Sequence, residues 1–348
     1  MHNFADDSTQ AAKNETLATL QQLERDNPRI TEGLAMSTWF IRMLETAASR
    51  QAGLDRLPCT TLLLNNRALA WAHDAHPRHG DYVAHLRREF LVHRIEHDAD
   101  RGFMVEDSYR GGRPYMKPLP KLIENLYSEN PRLRDNVYVP VSGDEPRRNE
   151  AFWGYLHAAH GDRIWSEVGL GRHLINDVIG KFYQFVVDVD FVLASGGDLW
   201  VVEFKHKTPM KTRQPLSVGL NRYEIQRLLS LQRCGFKIMH VVMMKPYRDN
   251  AVGSMRILTD RTTYNNTSIL ALELEDECLE DLLRRETVNA EGTALNGESM
   301  PTHPIDVDSF QFIGTLDDRL LPDRLTSCFR EGTVRNGAAE QVERLRLP

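Results

Sequence analysis

Asp188-Val189-Asp190-Phe191-Val192-Leu193-Ala194-Ser195-Gly196-Gly197-Asp198-Leu199-Trp200-Val201-Val202-Glu203-Phe204-Lys205 decides how this chain is read. It scans as two β-strands about a Gly-Gly turn, since adjacent glycines supply the positive φ that a two-residue hairpin loop needs. Side chains on a strand alternate faces, so Asp188 and Asp190 share one face and Glu203 and Lys205 share another. With the strands paired, an acid from the first and Glu203 from the second can reach one cation, beside an ammonium. Charges set among Val and Phe are costly to bury unless paired or metal-bound. Hard carboxylate oxygens suit Mg²⁺ or Mn²⁺.

The sequence on either side extends the pattern. Phe182 to Ala194 is rich in Val and Phe and reads as one buried strand, with Leu199 to Phe204 as the next. Leu220 to Cys234 carries helical spacing and stops at Gly235, and Lys237 to Met244 is a third strand closed by Pro246. Strand, strand, helix, strand implies an α/β core whose last strand returns through a helical crossover.

This constellation resembles the PD-(D/E)XK nuclease superfamily, the restriction-endonuclease-like enzymes. The resemblance rests on Asp190 and on Glu203-Phe204-Lys205 after an apolar strand, and covers roughly Glu150 to Pro246. Val189 stands where the family has proline. The resemblance implies that Asp190 and Glu203 bind Mg²⁺ or Mn²⁺, helped by the Phe204 carbonyl, with Asp188 a competitor for the first position. It makes Lys205 the catalytic lysine. It also implies a polar residue on the following helix, Gln226 rather than Gln232, and an acid on an earlier helix, Glu167 or else Glu150. The implied activity is hydrolysis of phosphodiester bonds, above all in DNA. The alternative is an inactive module of the same fold that binds nucleic acid or a partner protein.

Charge bears on that partner. The chain has 348 residues and a net charge of −6, so contact with nucleic acid must rest on a local basic patch or a metal ion. Lys205, His206, Lys207, Lys211 and Arg213 form one basic run, with Lys207, Lys211 and Arg213 placed to meet phosphates. Arg110-Gly111-Gly112-Arg113, near Lys117, Lys121, Tyr109 and Tyr115, forms another, in which Arg110 and Arg113 meet the backbone and the tyrosines stack on bases. No apolar run approaches a membrane span and no signal-peptide core precedes Asn14, and Cys59, Cys234, Cys278 and Cys328 form no CxxC pair. These features predict a cytoplasmic protein.

Two histidine patterns compete for a metal. His93-Arg94-Ile95-Glu96-His97 has the HxxEH form of a zinc peptidase, which needs both histidines on one helix face. His73, His76 and His79 lie close in sequence around Pro77. Gly169-Leu170-Gly171 is too short for a phosphate loop.

The remaining pattern divides the chain into three. Residues 1–145 read as mainly helical, with helices over Ala11 to Arg25, Leu34 to Ala48, Tyr82 to His97 and Lys121 to Tyr127 and a strand over Asn136 to Val141. This region would recognise substrate, a partner protein or a second copy of the chain. A polar break at Asp144 to Asn149 opens the nuclease-like core, 146–250, a mixed central sheet flanked by helices. Residues 251–348 form an extension packed on that core, with a strand at Ser268 to Leu274, a helix at Leu279 to Arg285, and Glu286 to Asp306 as a loop.

Overall fold

The computed structural model describes residues 28–50, 53–64, 66–73, 75–110, 113–129, 146–179, 187–209, 216–247, 256–290 and 300–347. Helix α1 (Pro28–Arg50) leads into β1 (Leu54–Leu57), β2 (Cys59–Leu64) and β3 (Arg67–Ala72). Then come α2 (His79–Leu86), β4 (Leu91–Asp98), β5 (Gly102–Arg110), β6 (Arg113–Pro118) and α3 (Leu119–Glu129). Helix α4 (Pro146–His160) is followed by a run of mixed helical turns to Ile179. Next are β7 (Val187–Val189), β8 (Phe191–Ser195), β9 (Asp198–Lys207), β10 (Ser217–Asn221), α5 (Arg222–Arg233) and β11 (Lys237–Met244). The chain closes with α6 (Arg256–Thr259), α7 (Arg261–Asn266), β12 (Ser268–Leu274), α8 (Asp276–Arg284), β13 (Val288–Ala290), β14 (Met300–Asp306), β15 (Gln311–Thr315), α9 (Leu321–Glu331) and α10 (Ala338–Arg344).

These elements fall into two units. Unit 1 takes the described residues of Met1–Thr31, Pro58–Ser142 and His160–Val189, and unit 2 those of Glu32–Leu57, Gly143–Ala159 and Asp190–Pro348. Unit 1 holds a mixed six-stranded sheet, ordered β6-β5-β4-β3-β2-β7. Its core is built from Leu62, Leu69, Trp71, Ile95, Phe103, Val105, Leu122 and Leu174.

Unit 2 holds the sheet that positions the candidate site, ordered β1-β8-β9-β11-β12-β15. Strands β1, β8 and β9 pair antiparallel, and β11 returns through α5 to lie parallel to β9. Gly196 and Gly197 turn β8 into β9 with φ of 60° and 95°, the positive pair that a tight hairpin requires. Helix α5 starts at a capping box: Asn221 Oδ1 accepts the Glu224 N–H at 2.9 Å, and Glu224 Oε2 accepts the Asn221 N–H at 2.9 Å. It ends just before Gly235, whose φ of 91° releases the chain into β11. Strand β11 is buried beyond its first residue and β9 from Leu199 to Phe204, as a central parallel pair covered on both faces should be. Helix α1 packs on one face through Phe40, whose ring lies 4.5 Å from that of Phe204 and 5.2 Å from that of Phe191. A smaller sheet, β10-β14-β13, also belongs to unit 2.

The α/β class and the mixed sheet agree with the sequence pattern. Residues 1–145 differ from it, for between β1 and β6 the chain is mostly strand. The helix expected over Tyr82 to His97 stops at Leu86, and Leu91–Asp98 is strand β4. Leu86, Phe90, Leu91 and Ile95 fit a helical period, yet only His93 and Ile95 of β4 are buried, at the spacing of a strand. Parallel pairing with β3 overrides the local preference. The strand expected over Phe182 to Ala194 is broken at Asp190, with β7 in the sheet of unit 1 and β8 in that of unit 2. The loop expected over Glu286 to Asp306 contains β13 and β14, because β10 offers β14 an antiparallel partner that no local signal announces. The expected division at 145 also differs, since α1 from Glu32 onward and β1 belong to unit 2. The expected elements over Ala11 to Arg25 and Asn136 to Val141 lie outside the described residues. Among the described residues no helix is long and apolar enough to cross a membrane, and all four cysteines are free thiols.

Candidate functional site

Alternation along β9 sets the site. Val202 and Phe204 turn toward the apolar side under α1, while Glu203, Lys205 and Lys207 share the other face. The β8–β9 ladder closes with Phe191 opposite Val202, so one step further Asp190 comes opposite Glu203. The Phe204 N–H donates to Asp190 Oδ2 at 2.8 Å, which fixes that carboxylate beside β9.

Lys205 joins the acids. Its Nζ lies 2.6 Å from Glu203 Oε1 and 3.1 Å from Glu224 Oε1. Burial alone would favour loss of its proton, but the carboxylates of Glu203, Glu224 and Asp190 outweigh that and hold it well above the ordinary lysine range. Lys205 is therefore an ammonium at neutral pH. Burial would raise the Glu224 carboxyl, yet Lys205, the Asn221 N–H and Lys207 together bring it below the usual range. Lys207 is pushed down by burial and by its neighbours Lys205 and Lys245.

Two histidines complete the surroundings. His240 of β11 stands opposite Glu203 and is 1% exposed, with Nδ1 3.1 Å from the Glu203 carbonyl oxygen. A carbonyl only accepts, so Nδ1 carries the proton. Burial lowers His240 to about 4, with Lys205 and Lys207 adding to the effect, so the ring is neutral. His206 is lowered to about 3 by burial and by Lys245, Lys207 and Lys205.

The fold separates the expected residues. Asp190, Glu203, Phe204, Lys205 and Lys207 come together in unit 2. Asp188 lies in β7 opposite Leu62, in the sheet of unit 1. Gln226 is exposed on α5, and the residue of that helix that meets Lys205 is Glu224. Gln232 instead donates to the Leu274 carbonyl. Glu167 lies in unit 1, where its carboxylate is taken by His160 at 2.6 Å and Arg163 at 2.7 Å. Glu150 lies in α4. Arg110 and Arg113 pair opposite one another at the end of the β5–β6 hairpin of unit 1, and Lys211 and Arg213 lie outside the described residues.

One residue was missed by sequence reasoning. Glu224 was legible, because Asn221-x-x-Glu224 at a helix start has the spacing of a capping box.

The histidine patterns do not form the expected sites. His93 and His97 sit on strand β4, not a helix. His93 is buried with Nε2 3.0 Å from Arg67, and His97 packs on Trp71 and Phe103, lowered by burial and by His173. Among the described residues no group of three or more His, Cys, Asp or Glu side chains is placed to hold a metal ion. This applies equally to His73, His76 and His79. Two carboxylates are a smaller set, and magnesium is commonly held by one or two carboxylates with water and phosphate oxygens. No family model, no curated protein and no solved structure matches the chain.

Proposed function

We propose that unit 2 is a metal-dependent nuclease with a restriction-endonuclease-like core, hydrolysing phosphodiester bonds in DNA. The observation that carries this is the convergence of Asp190, Glu203 and Lys205 at the β8–β9 edge, with Lys205 held as a cation. The mixed sheet supports it, with α1 on one face and α5, through Glu224, on the other, and β9 and β11 joined by a helical crossover.

The donor set fits a hard divalent cation. Asp190 comes opposite Glu203 across β8 and β9, and two carboxylates with a carbonyl are hard oxygen donors of the kind such an ion takes. Asp190, Glu203 and the Phe204 carbonyl would hold Mg²⁺ or Mn²⁺. Bound there, the ion would polarise a phosphoryl oxygen and acidify a water. The chain's own residues do the rest. Lys205, charged and gripped from two sides, offers hydrogen bonds and positive charge to the attacking water and to the phosphate. Glu224 would keep Lys205 in place with Glu203 engaged as a ligand. His240, neutral and bonded to the Glu203 carbonyl, fixes the backbone at Glu203.

The test is cleavage of linear, circular and single-stranded DNA and of RNA, with Mg²⁺, Mn²⁺ or EDTA, beside Lys205→Ala. Cleavage of DNA that needs the cation and is lost in the variant is expected. Cleavage that persists in EDTA, or is unchanged in the variant, sinks the proposal.

A further inference from the structure

Lys207 is the cation of the site face for which the fold supplies no acid. Glu203, Lys205 and Lys207 share one side of β9, and Lys205 lies between Glu203 and Glu224. Lys207 is half-buried, yet among the described residues no carboxylate lies within ion-pair distance of it. The sequence offers none nearby either. From Phe204 to Tyr223 there is no Asp or Glu, against Lys205, Lys207, Lys211, Arg213 and Arg222.

Its neighbours make this arrangement costly. Just past β11, Lys245 comes alongside, its N–H donating to the Lys207 carbonyl oxygen at 2.8 Å. Burial, then Lys205 and Lys245, push the Lys207 ammonium below the usual lysine range, against partial opposition from Glu224 and Glu203. An anion joining these lysines would relieve both the lost hydration and the repulsion. The acids of the face are engaged elsewhere, Glu203 and Glu224 on Lys205 and Asp190 on the Phe204 N–H. The missing anion therefore comes from outside the chain.

Position along the strand says which anion. Two residues of strand put Lys207 about 7 Å beyond Lys205. That step is comparable to the one between successive phosphates of a nucleic-acid strand. With Lys205 at the phosphate that is cut, Lys207 reaches its neighbour, and a phosphate contact of this kind sets the register of the substrate.

We propose that Lys207 is a substrate-positioning residue that holds the phosphate next to the one cleaved, so that cleavage needs a charged phosphate beside the scissile bond. This rests on the nuclease reading of the site.

Two measurements test it, on a short DNA that the parent cuts at one mapped bond. The first is binding in EDTA, so that nothing is cut, with a salt titration. Lys207→Gln should weaken binding about ten- to a hundredfold and reduce the slope of log affinity against log salt by about one. Lys207→Arg, which keeps the charge, should recover most of that loss. The second is cleavage of the same DNA with one uncharged methylphosphonate on either side of the cut bond. At one of the two positions the parent should slow about ten- to a hundredfold, and Lys207→Gln should lose nothing more from that change. The parent alone reports the phosphate requirement, so a variant that fails to fold does not remove the test. Three results overturn the proposal: Lys207→Gln binding as the parent does with an unchanged slope, the parent cutting both modified DNAs at its normal rate, or the variant slowing on them as much as the parent. If EDTA and Lys205→Ala both abolish cleavage, such results sink this inference alone. A parent that cuts no DNA with Mg²⁺ or Mn²⁺ brings down the nuclease reading and this inference with it.

Discussion

Unit 1 and unit 2 treat charge in opposite ways. Unit 1 buries aliphatic and aromatic side chains, Leu62, Leu69, Trp71 and Phe103 among them, and keeps ion pairs such as Asp98–Arg101 and Glu167–Arg163 outside that core. Unit 2 buries Glu203, His240 and Lys245 in or beside its central parallel strands, with Lys205 and Lys207 half-buried next to them. Ionisable groups in a sheet interior cost several kcal/mol unless they compensate one another. The compensation here is specific: Lys205 between Glu203 and Glu224, Asp190 on the Phe204 N–H, His240 held neutral. The sheet of unit 2 carries more of this burden than that of unit 1, where His93 is buried against Arg67, and it is where the proposal places the chemistry.

The widest gap between the units is expected in catalysis. Lys205→Ala should reduce single-turnover DNA cleavage by about a hundred- to a thousandfold. Glu167→Gln in unit 1 should leave the rate unchanged, and an equal loss in both would break the comparison.

Core truncation comes next. Phe40→Ala in unit 2 and Trp71→Ala in unit 1 should each cost about 3–5 kcal/mol in urea unfolding. Both side chains are at most 5% exposed. Two separate unfolding transitions, each moved by only one of the variants, would sharpen the division.

Acid should distinguish the units as well. His206 and His240 are lowered from 6.5 to about 3 and about 4, so between those values and 6.5 the unfolded chain binds more protons than the folded one. Their contribution is complete above pH 6.5 and falls as pH drops below it, by at most about 1.4 kcal/mol per pH unit for each ring. Asp98 in unit 1 is lowered from 3.8 to about 2, mainly by its bond to Arg101, so its contribution persists to pH 3.8 and is lost only below that. Unit 2 should thus soften first, with urea midpoints falling between pH 7 and 5. His240→Asn should flatten that slope, and an unchanged slope would show that His240 is not among the groups responsible.

The smallest effect is at the helix cap. Asn221→Ala should destabilise unit 2 by about 1 kcal/mol. Cleavage should change little, since the N–H that anchors the Glu224 carboxylate belongs to the Asn221 backbone and survives the substitution.

Much of unit 2's centre was legible because its signals are local. Two positive-φ glycines make a hairpin, Val-rich runs make buried strands, and a helix between strands makes a crossover. Gln226 shows where local reasoning failed. It was preferred by analogy, but the angle of α5 on the sheet points Glu224 at Lys205 and leaves Gln226 outward. Glu167 was preferred for its short distance to Asp190 in sequence, yet it sits in the other unit, bonded to His160 and Arg163.

By itself the sequence determined the hairpin, the alternation that puts Glu203 and Lys205 on one face, and the crossover that makes β11 parallel to β9. Each follows from backbone geometry over a few residues. Only the tertiary structure decided that Asp190 and Asp188 part into different sheets, that α1 lays Phe40 on Phe204 and brings Gly33 beside His206, and that Glu224 shares Lys205 with Glu203. Those outcomes depend on pairings between segments far apart in the chain, whose partners leave no trace in local periodicity.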